Sequence, residues 1–218
     1  MKIGILGGTF NPIHLAHLRI AEEVRQACAL DQVWFLPAAD PPHKVVAGQV
    51  GFRQRLAMVE AAIADHPHFR VSDLEARRSG KSYSVDTLEI LSLEHPEHSY
   101  TFIMGLDSFR DLSSWHQWAR LFEFAHLVVV SRPGIPVEAP LELLPVAIRD
   151  QFCYDCPSSL LRHRSGKTVL FLTETYLDIS STRLREMVAA RQSIRYLVPP
   201  VVEAFIEQHA LYRGQESA

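Results

Sequence analysis

Short apolar runs alternate with longer amphipathic stretches through the first 130 residues of the chain. Lys2 to Leu6 is an apolar run that stops at Gly7-Gly8. Ala16 to Cys28 follows with helical spacing, Ala21, Val24 and Cys28 falling on one face. Gln32 to Leu36 predicts a second strand, stopped by Pro37, and Phe52 to Ala64 a second helix. Phe69 to Ser72 predicts a strand, Val85 to Leu93 a helix ended by His95-Pro96, and Tyr100 to Met104 a strand. Trp115 to Phe122 predicts a helix, and Leu127 to Val130 a strand buried on both faces. After Arg132-Pro133-Gly134 the rhythm loosens. Val169 to Leu172 is a candidate sixth strand, and Thr182 to Ala190 and Val201 to His209 are candidate helices.

Strands alternating with helices at this spacing imply right-handed parallel crossovers. The expected class is α/β: a Rossmann-like open parallel sheet with helices on both faces. A single domain is expected, residues 1–134 forming the core and 135–218 completing it with a small helical portion. Ligands in such sheets sit beyond the C-terminal strand ends. The loops starting at Gly7, Pro37, Gly105 and Ser131 are therefore expected around one cleft.

Composition narrows the picture a little. The 218 residues are 47% hydrophobic and 22% charged, a globular balance, and the net charge is −3. No basic stripe suggests nucleic-acid binding, and no apolar run spans a bilayer. Neither a membrane nor a nucleic-acid partner is expected, and the location expected is cytoplasmic. Cys28, Cys153 and Cys156 are too few for a disulfide scaffold. Cys153 and Cys156 form a CxxC without a second ligand pair nearby, so packing is the expected role ahead of redox or metal chemistry.

Candidate chemistry concentrates where the first strand ends, in Gly7-Gly8-Thr9-Phe10-Asn11-Pro12-Ile13-His14-Leu15-Ala16-His17. Paired glycines let backbone approach a ligand closely, and the following helix start offers free N–H groups to phosphate. The spacing fits neither a dinucleotide fingerprint nor a Walker loop. His14 and His17 lie one turn apart and share a face. Such a pair can donate to phosphoryl oxygens or share a metal ion, but no third ligand accompanies it at recognisable spacing. Ile179-Ser180-Ser181-Thr182-Arg183-Leu184-Arg185 reads as a helix start capped by Ser181 or Thr182 and carrying two cations, either surface charge or an anion site. Lys44, after Asp40-Pro41-Pro42-His43, is either a solvated loop residue or a mobile cation for a triphosphate. Ser82 to Thr87 precedes a helix, Gly105 to Ser108 follows a strand, and Trp115-His116 opens a predicted helix. Tyr83 and Trp115 are either core aromatics or the walls of a ring pocket.

The first stretch closely resembles the signature of nucleotidyltransferases that share the (T/H)xGH motif. Asn11 stands where that family usually has Asp, and Ala16 where it has Gly. The resemblance implies that His14 and His17 act on the transferring phosphoryl group and that Gly7, Gly8, Thr9 and Phe10 line the nucleotide. Ser180, Thr182 and Arg185 match the family's ISxTxxR motif. With Ile179 this implies a hold on the β- and γ-phosphates of ATP and its base edge. PPHK resembles a family phosphate loop and assigns Lys44 to it.

SYSVDTL, GLDSF and Trp115-His116 together resemble the nicotinate-nucleotide adenylyltransferases. In them Tyr83, Ser84, Trp115 and His116 would surround a nicotinate ring and its carboxylate. Asp107 would lie at a nucleotide ribose, Gly105 in the nucleotide site, and Arg132 on the phosphate side. His116 departs from the tyrosine often found there. The implied reaction joins ATP and nicotinate mononucleotide, with Mg²⁺ carried mainly by the phosphates and no dedicated protein metal site. Pantetheine-phosphate and nicotinamide-mononucleotide adenylyltransferases, or a non-catalytic nucleotide-binding protein, are the alternatives. Small nucleotides are the expected partners, and the protein is expected to be a monomer or homodimer.

Overall fold

The computed structural model describes residues 1–41, 50–131, 139–155, 160–173, 175 and 177–213. Eight strands form one sheet: β1 (Lys2–Gly8), β2 (Gln32–Pro37), β3 (Phe69–Val71), β4 (Ser99–Gly105), β5 (Ala125–Ser131), β6 (Phe152–Asp155), β7 (Leu160–His163) and β8 (Thr168–Thr173), in the order β3-β2-β1-β4-β5-β8-β7-β6. The helices are α1 (Leu15–Ala27), α2 (Phe52–Ile63), α3 (Ser84–Glu94), α4 (Leu106–Arg110), α5 (Leu121–Phe124), α6 (Ser181–Ala189) and α7 (Pro200–Gln208).

The chain folds as two compact units. The first comprises residues 1–7, 20–34 and 83–176. In it β1, β4, β5 and β8 run parallel, with Leu6 opposite Ile103, Gly105 opposite Val130 and Ser131 opposite Thr173. The C-terminal ends of these strands therefore share one edge, as the parallel pattern predicts. Continuous apolar runs form the middle of this sheet: Ile3, Ile5, Ile103, Leu127, Val129 and Val169 are at most 2% exposed. Gly4 is needed there for space, since a Cβ would stand 2.8 Å from Leu30 and 3.2 Å from Val33.

Two differences from the predicted pattern lie in this unit. Residues 152–163 supply β6 and β7, which pair antiparallel with each other, and β7 pairs antiparallel with β8, so the sheet is mixed at that edge. Each carries one buried residue in its four, too little alternation to announce a strand. The helix predicted over Trp115 to Phe122 is a 3-10 turn at Trp118–Arg120 followed by α5. Gln117, in the left-handed region at φ 45°, interrupts the winding. Trp115 closes the preceding 3-10 turn, its N–H donating to the Leu112 carbonyl at 3.0 Å, so that amide is not a free helix-start donor.

The second unit comprises residues 8–19, 35–82 and 177–218. Its core is built from Phe10, Ile13, Phe35, Met58, Val59, Ile194, Val202 and Ile206. α2 presents Arg55, Met58, Val59 and Ile63 as its buried face, so an arginine occupies a position of the apolar stripe. Among the described residues no helix is long and apolar enough to cross a membrane.

Candidate active site

The loop after β1 is built around its own carbonyl groups. Gly8 admits the Phe10 ring: a Cβ on Gly8 would stand 3.0 Å from it. Phe10, at φ 47°, turns the chain, and its 2% exposed ring packs edge-on to His17 at 5.1 Å and against Phe35 at 5.9 Å. Phe10 therefore offers a ligand its main chain, not its ring. The Asn11-Pro12 peptide is cis.

Side chains from three distant segments hold the loop. Arg55 donates to the Thr9 carbonyl at 2.7 Å and to the Ala38 carbonyl at 2.8 Å. Arg185 donates to the Asn11 carbonyl at 2.8 Å, and the Ser181 hydroxyl to the Pro12 carbonyl at 2.8 Å. The Tyr212 hydroxyl donates to Asn11 Oδ1 at 2.6 Å. The Ala38 N–H donates to the Gly8 carbonyl, and Ser82 Oγ accepts from Ala39 and Asp40 N–H, which ties down the start of the loop after β2. Burial pulls the Arg55 guanidinium down from its ordinary value, while Tyr212 and Glu75 pull it back up. Burial also raises the Tyr212 phenol well above its usual range.

His14 and His17 stand where the helix begins. The His14 carbonyl accepts the His17 N–H at 3.0 Å, and the His14 N–H donates back to His17 Nδ1 at 3.3 Å. This reciprocal pair closes the first turn of α1, with an imidazole in the place a capping glutamate or glutamine usually takes. It also sets a tautomer: Nδ1 of His17 accepts, so its proton is on Nε2. The two rings stack at 3.7 Å with 27° between their planes. His14 is 5% exposed, and its Nδ1 is buried with no hydrogen-bond partner among the described residues.

Burial pushes His14 from 6.5 down to about 4, so at neutral pH it is an uncharged imidazole. Between pH 6.5 and about 4 the unfolded chain takes up a proton that the folded chain refuses. Stability from this group is therefore lost as pH falls through that window, by about 3 kcal/mol in all, and is untouched above it. Chemical denaturation of wild type and His14→Ala between pH 7.5 and 4 checks this: the variant is expected to lose less stability on acidification, and parallel curves would refute it.

The second motif begins α6. Ser180, not Ser181 or Thr182, is the N-cap, its hydroxyl accepting from the Arg183 N–H at 3.2 Å. Thr182 Oγ1 accepts from Arg185 Nη2 at 3.3 Å, and Ile179 is half-buried just before the helix. The two motifs thus touch through Arg185 and Ser181. The ISxTxxR resemblance assigns Arg185 to ATP; Ser181 is expected at most as a helix cap, and Arg55 and Tyr212 have no expected part. The usable signal is Arg55 on an apolar helix face.

The first unit carries the aromatic group. Tyr83 caps α3, its carbonyl accepting from both the N–H and the hydroxyl of Thr87, so the first amides of the helix, at Ser84, Val85 and Asp86, face outward along its axis. The Tyr83 ring stacks on His116 at 4.3 Å and 30°. Half-buried Trp115 meets Phe102 edge-on at 6.2 Å. Gly105 ends β4 and starts α4, with open space around its Cα, and Asp107 is exposed on that helix. Gly7, near the end of β1, is exposed, and Phe102 stands 3.9 Å from where its Cβ would be. Lys44, Arg132 and Cys156 lie outside the described residues. Cys153 is exposed on β6, its thiol directed at the Arg162 carbonyl of β7.

The family model described as cytidylyltransferase-like matches residues 5–187. A Syntrophotalea carbinolica protein named "Probable nicotinate-nucleotide adenylyltransferase" is 61% identical over 216 residues, 99% of both chains. One of the same name from Trichlorobacter lovleyi is 57% identical over 98% of this chain and 100% of its own. The solved structure of Plasmodium falciparum nicotinic acid mononucleotide adenylyltransferase complexed with NaAD shares the fold, with a TM-score of 0.74 at 20% identity over 97% of both chains. By its histidine pair, its two linked motifs and this end-to-end likeness, the chain belongs to the cytidylyltransferase-like family, in its nicotinate-nucleotide adenylyltransferase branch.

Proposed function

We propose that this enzyme joins ATP to nicotinate mononucleotide, giving nicotinate adenine dinucleotide and pyrophosphate. An oxygen of the mononucleotide phosphate attacks the α-phosphorus of ATP, and the bond from that phosphorus to the bridging oxygen of the β-phosphate breaks. The attacking group is already an anion, so alignment and charge neutralisation are what the protein must supply. The observation that carries the reading is the stacked His14–His17 pair at the start of α1, with the His17 proton set on Nε2, the nitrogen that would serve a phosphoryl oxygen. His14 and His17 are the proposed catalytic residues.

Gly7, Gly8, Thr9 and Phe10, by their main chain, and Ile179, Ser180, Thr182 and Arg185 are assigned to ATP, with Gly105 in the nucleotide site and Asp107 at a ribose. Lys44 and Arg132 are assigned to phosphates on the strength of their motifs. Tyr83, Ser84, Trp115 and His116 are assigned to the pyridine ring and its carboxylate, which the outward amides of α3 suit. The imidazole and guanidinium groups at the phosphate loop fit phosphoryl oxygens and not Mg²⁺, which wants oxygen ligands. Mg²⁺ would enter with the triphosphate, and no protein residue is assigned to it.

Pyrophosphate release measured with ATP and a panel of acceptors tests the proposal. Nicotinate mononucleotide is expected to be turned over best; preference for nicotinamide mononucleotide or pantetheine phosphate would overturn the acceptor, and tight ATP binding without release would overturn catalysis. Trp115→Ala is expected to weaken mononucleotide binding about 10-fold or more, the loss of a stacked aromatic, while ATP binding is spared. Separate titrations of the two ligands check it, and equal losses would count against a stacking role.

A further inference from the structure

The turn between α3 and β4 collects side chains that the proposed chemistry does not use. It reads Glu94-His95-Pro96-Glu97-His98-Ser99. His95 terminates α3, its N–H donating to the Leu91 carbonyl, and the His98 N–H closes back on the His95 carbonyl at 3.1 Å. Ser99 then enters β4, its N–H donating to the Met1 carbonyl at 2.9 Å. Both ends of the turn are therefore pinned to regular structure.

Within it, one donor atom each from His95, Glu97 and His98 lies within 4.8 Å of the others. Glu97 Oε1 is 3.1 Å from His98 Nδ1 and 3.8 Å from His95 Nδ1. The imidazoles are nearly parallel, 15° apart with centroids at 5.3 Å. Trp34 meets both edge-on, at 6.3 Å from His95 and 6.4 Å from His98. Among the described residues His98 Nδ1 is shielded from solvent and has no hydrogen-bond partner, although the Glu97 oxygen is close. A cation held between these two atoms would satisfy both.

We propose that His95, Glu97 and His98 form a binding site for a divalent transition-metal ion of the zinc class. Two imidazole nitrogens and one carboxylate oxygen suit zinc, with water in the fourth place, and nitrogen donors disfavour Mg²⁺ and Ca²⁺. With neutral imidazoles the site carries one negative charge. Tetrahedral zinc needs its donors about 3.3 Å apart, reached by small rotations of His95 and Glu97, whose side chains are exposed. The site lies at the N-terminal end of β4, roughly 20 Å from Gly105 at the other end of the strand. The ion would therefore clip the end of α3 to the start of β4 and take no part in phosphoryl transfer.

Calorimetric titration of the untagged full chain with zinc chloride, without Mg²⁺, tests the site. The expected result is a saturable site that weakens about 10-fold or more in His98→Ala and in the milder Glu97→Gln. Zinc is also expected to raise the Tm of the wild type and not of the variants, whose Mg²⁺-supported turnover stays unchanged. Cobalt chloride should quench part of the tryptophan fluorescence, a part absent from Trp34→Phe. Zinc binding that persists unchanged in both ligand variants, or the absence of any saturable binding, overturns the proposal. Quenching that survives in Trp34→Phe places the ion elsewhere and overturns it too.

Discussion

His17→Ala is expected to cut turnover by about 10²-fold or more while the protein stays folded, because the proposed role makes this imidazole a donor to transition-state charge. The arrangement around His17 separates its structural contact from its proposed role. Nδ1 accepts the His14 N–H and so caps α1, while Nε2 is the nitrogen proposed to serve a phosphoryl oxygen. Losing the cap costs about 1 kcal/mol, small beside the roughly 5–15 kcal/mol stability typical of a domain. His17→Asn tests the separation, since its amide oxygen reaches the Nδ1 position but nothing replaces Nε2. It is expected to recover most of the lost stability and little of the lost turnover. Pyrophosphate release and thermal unfolding, measured on both variants, give the comparison. Near-normal turnover in folded His17→Ala would remove the catalytic assignment.

The largest stability loss is expected from Arg55→Ala. The side chain is 1% exposed, and its two Nη groups satisfy the carbonyls of Thr9 and Ala38. Truncation leaves two part-buried acceptors without those donors, at up to about 1–3 kcal/mol each, and opens a cavity besides. A loss of about 3–5 kcal/mol follows, or roughly 10 °C in Tm for a chain of this size. Arg55→Lys is expected to recover little, because a single ammonium cannot span two carbonyls as the planar fork does. By contrast Arg162→Ala, which breaks a half-exposed ion pair with Asp155, is expected to cost less than about 1 kcal/mol. If Arg55→Ala unfolds no earlier than Arg162→Ala, the clamp is not what holds the loop.

The parallel core was legible because its signal is redundant. KIGIL, QVWFL, YTFIM and LVVV are continuous apolar runs, each bounded by a turn residue or a helix, and β1, β2, β4 and β5 fall on them. α1 lies within one residue of its expected bounds at each end, since its apolar stripe runs its whole length. Trp115 to Phe122 misled because Trp115, Trp118, Leu121 and Phe122 repeat at three- and four-residue steps, which 3-10 turns and a short helix satisfy as well as one long helix does.

In the site, the glycines and histidines are local in sequence and can be read as a group. The residues that hold them are not. Ser181 and Arg185 reach the loop across 169 and 174 positions and Tyr212 across 201, and each looks like an ordinary hydroxyl, cation or aromatic where it stands. Long-range contacts of this sort have no periodicity, so pattern alone does not reveal them.

The Tyr212–Asn11 bond sets an order of events during synthesis. A ribosome delivers the glycine loop and the histidine pair first, but the hydroxyl that Asn11 awaits arrives 201 residues later. Chains released early, before residue 212, would carry the whole (T/H)xGH-like stretch and the Ile179–Arg185 motif yet lack that support for the loop. The proposed nucleotide loop thus draws part of its support from residue 212, and products clipped before it would lack that bond.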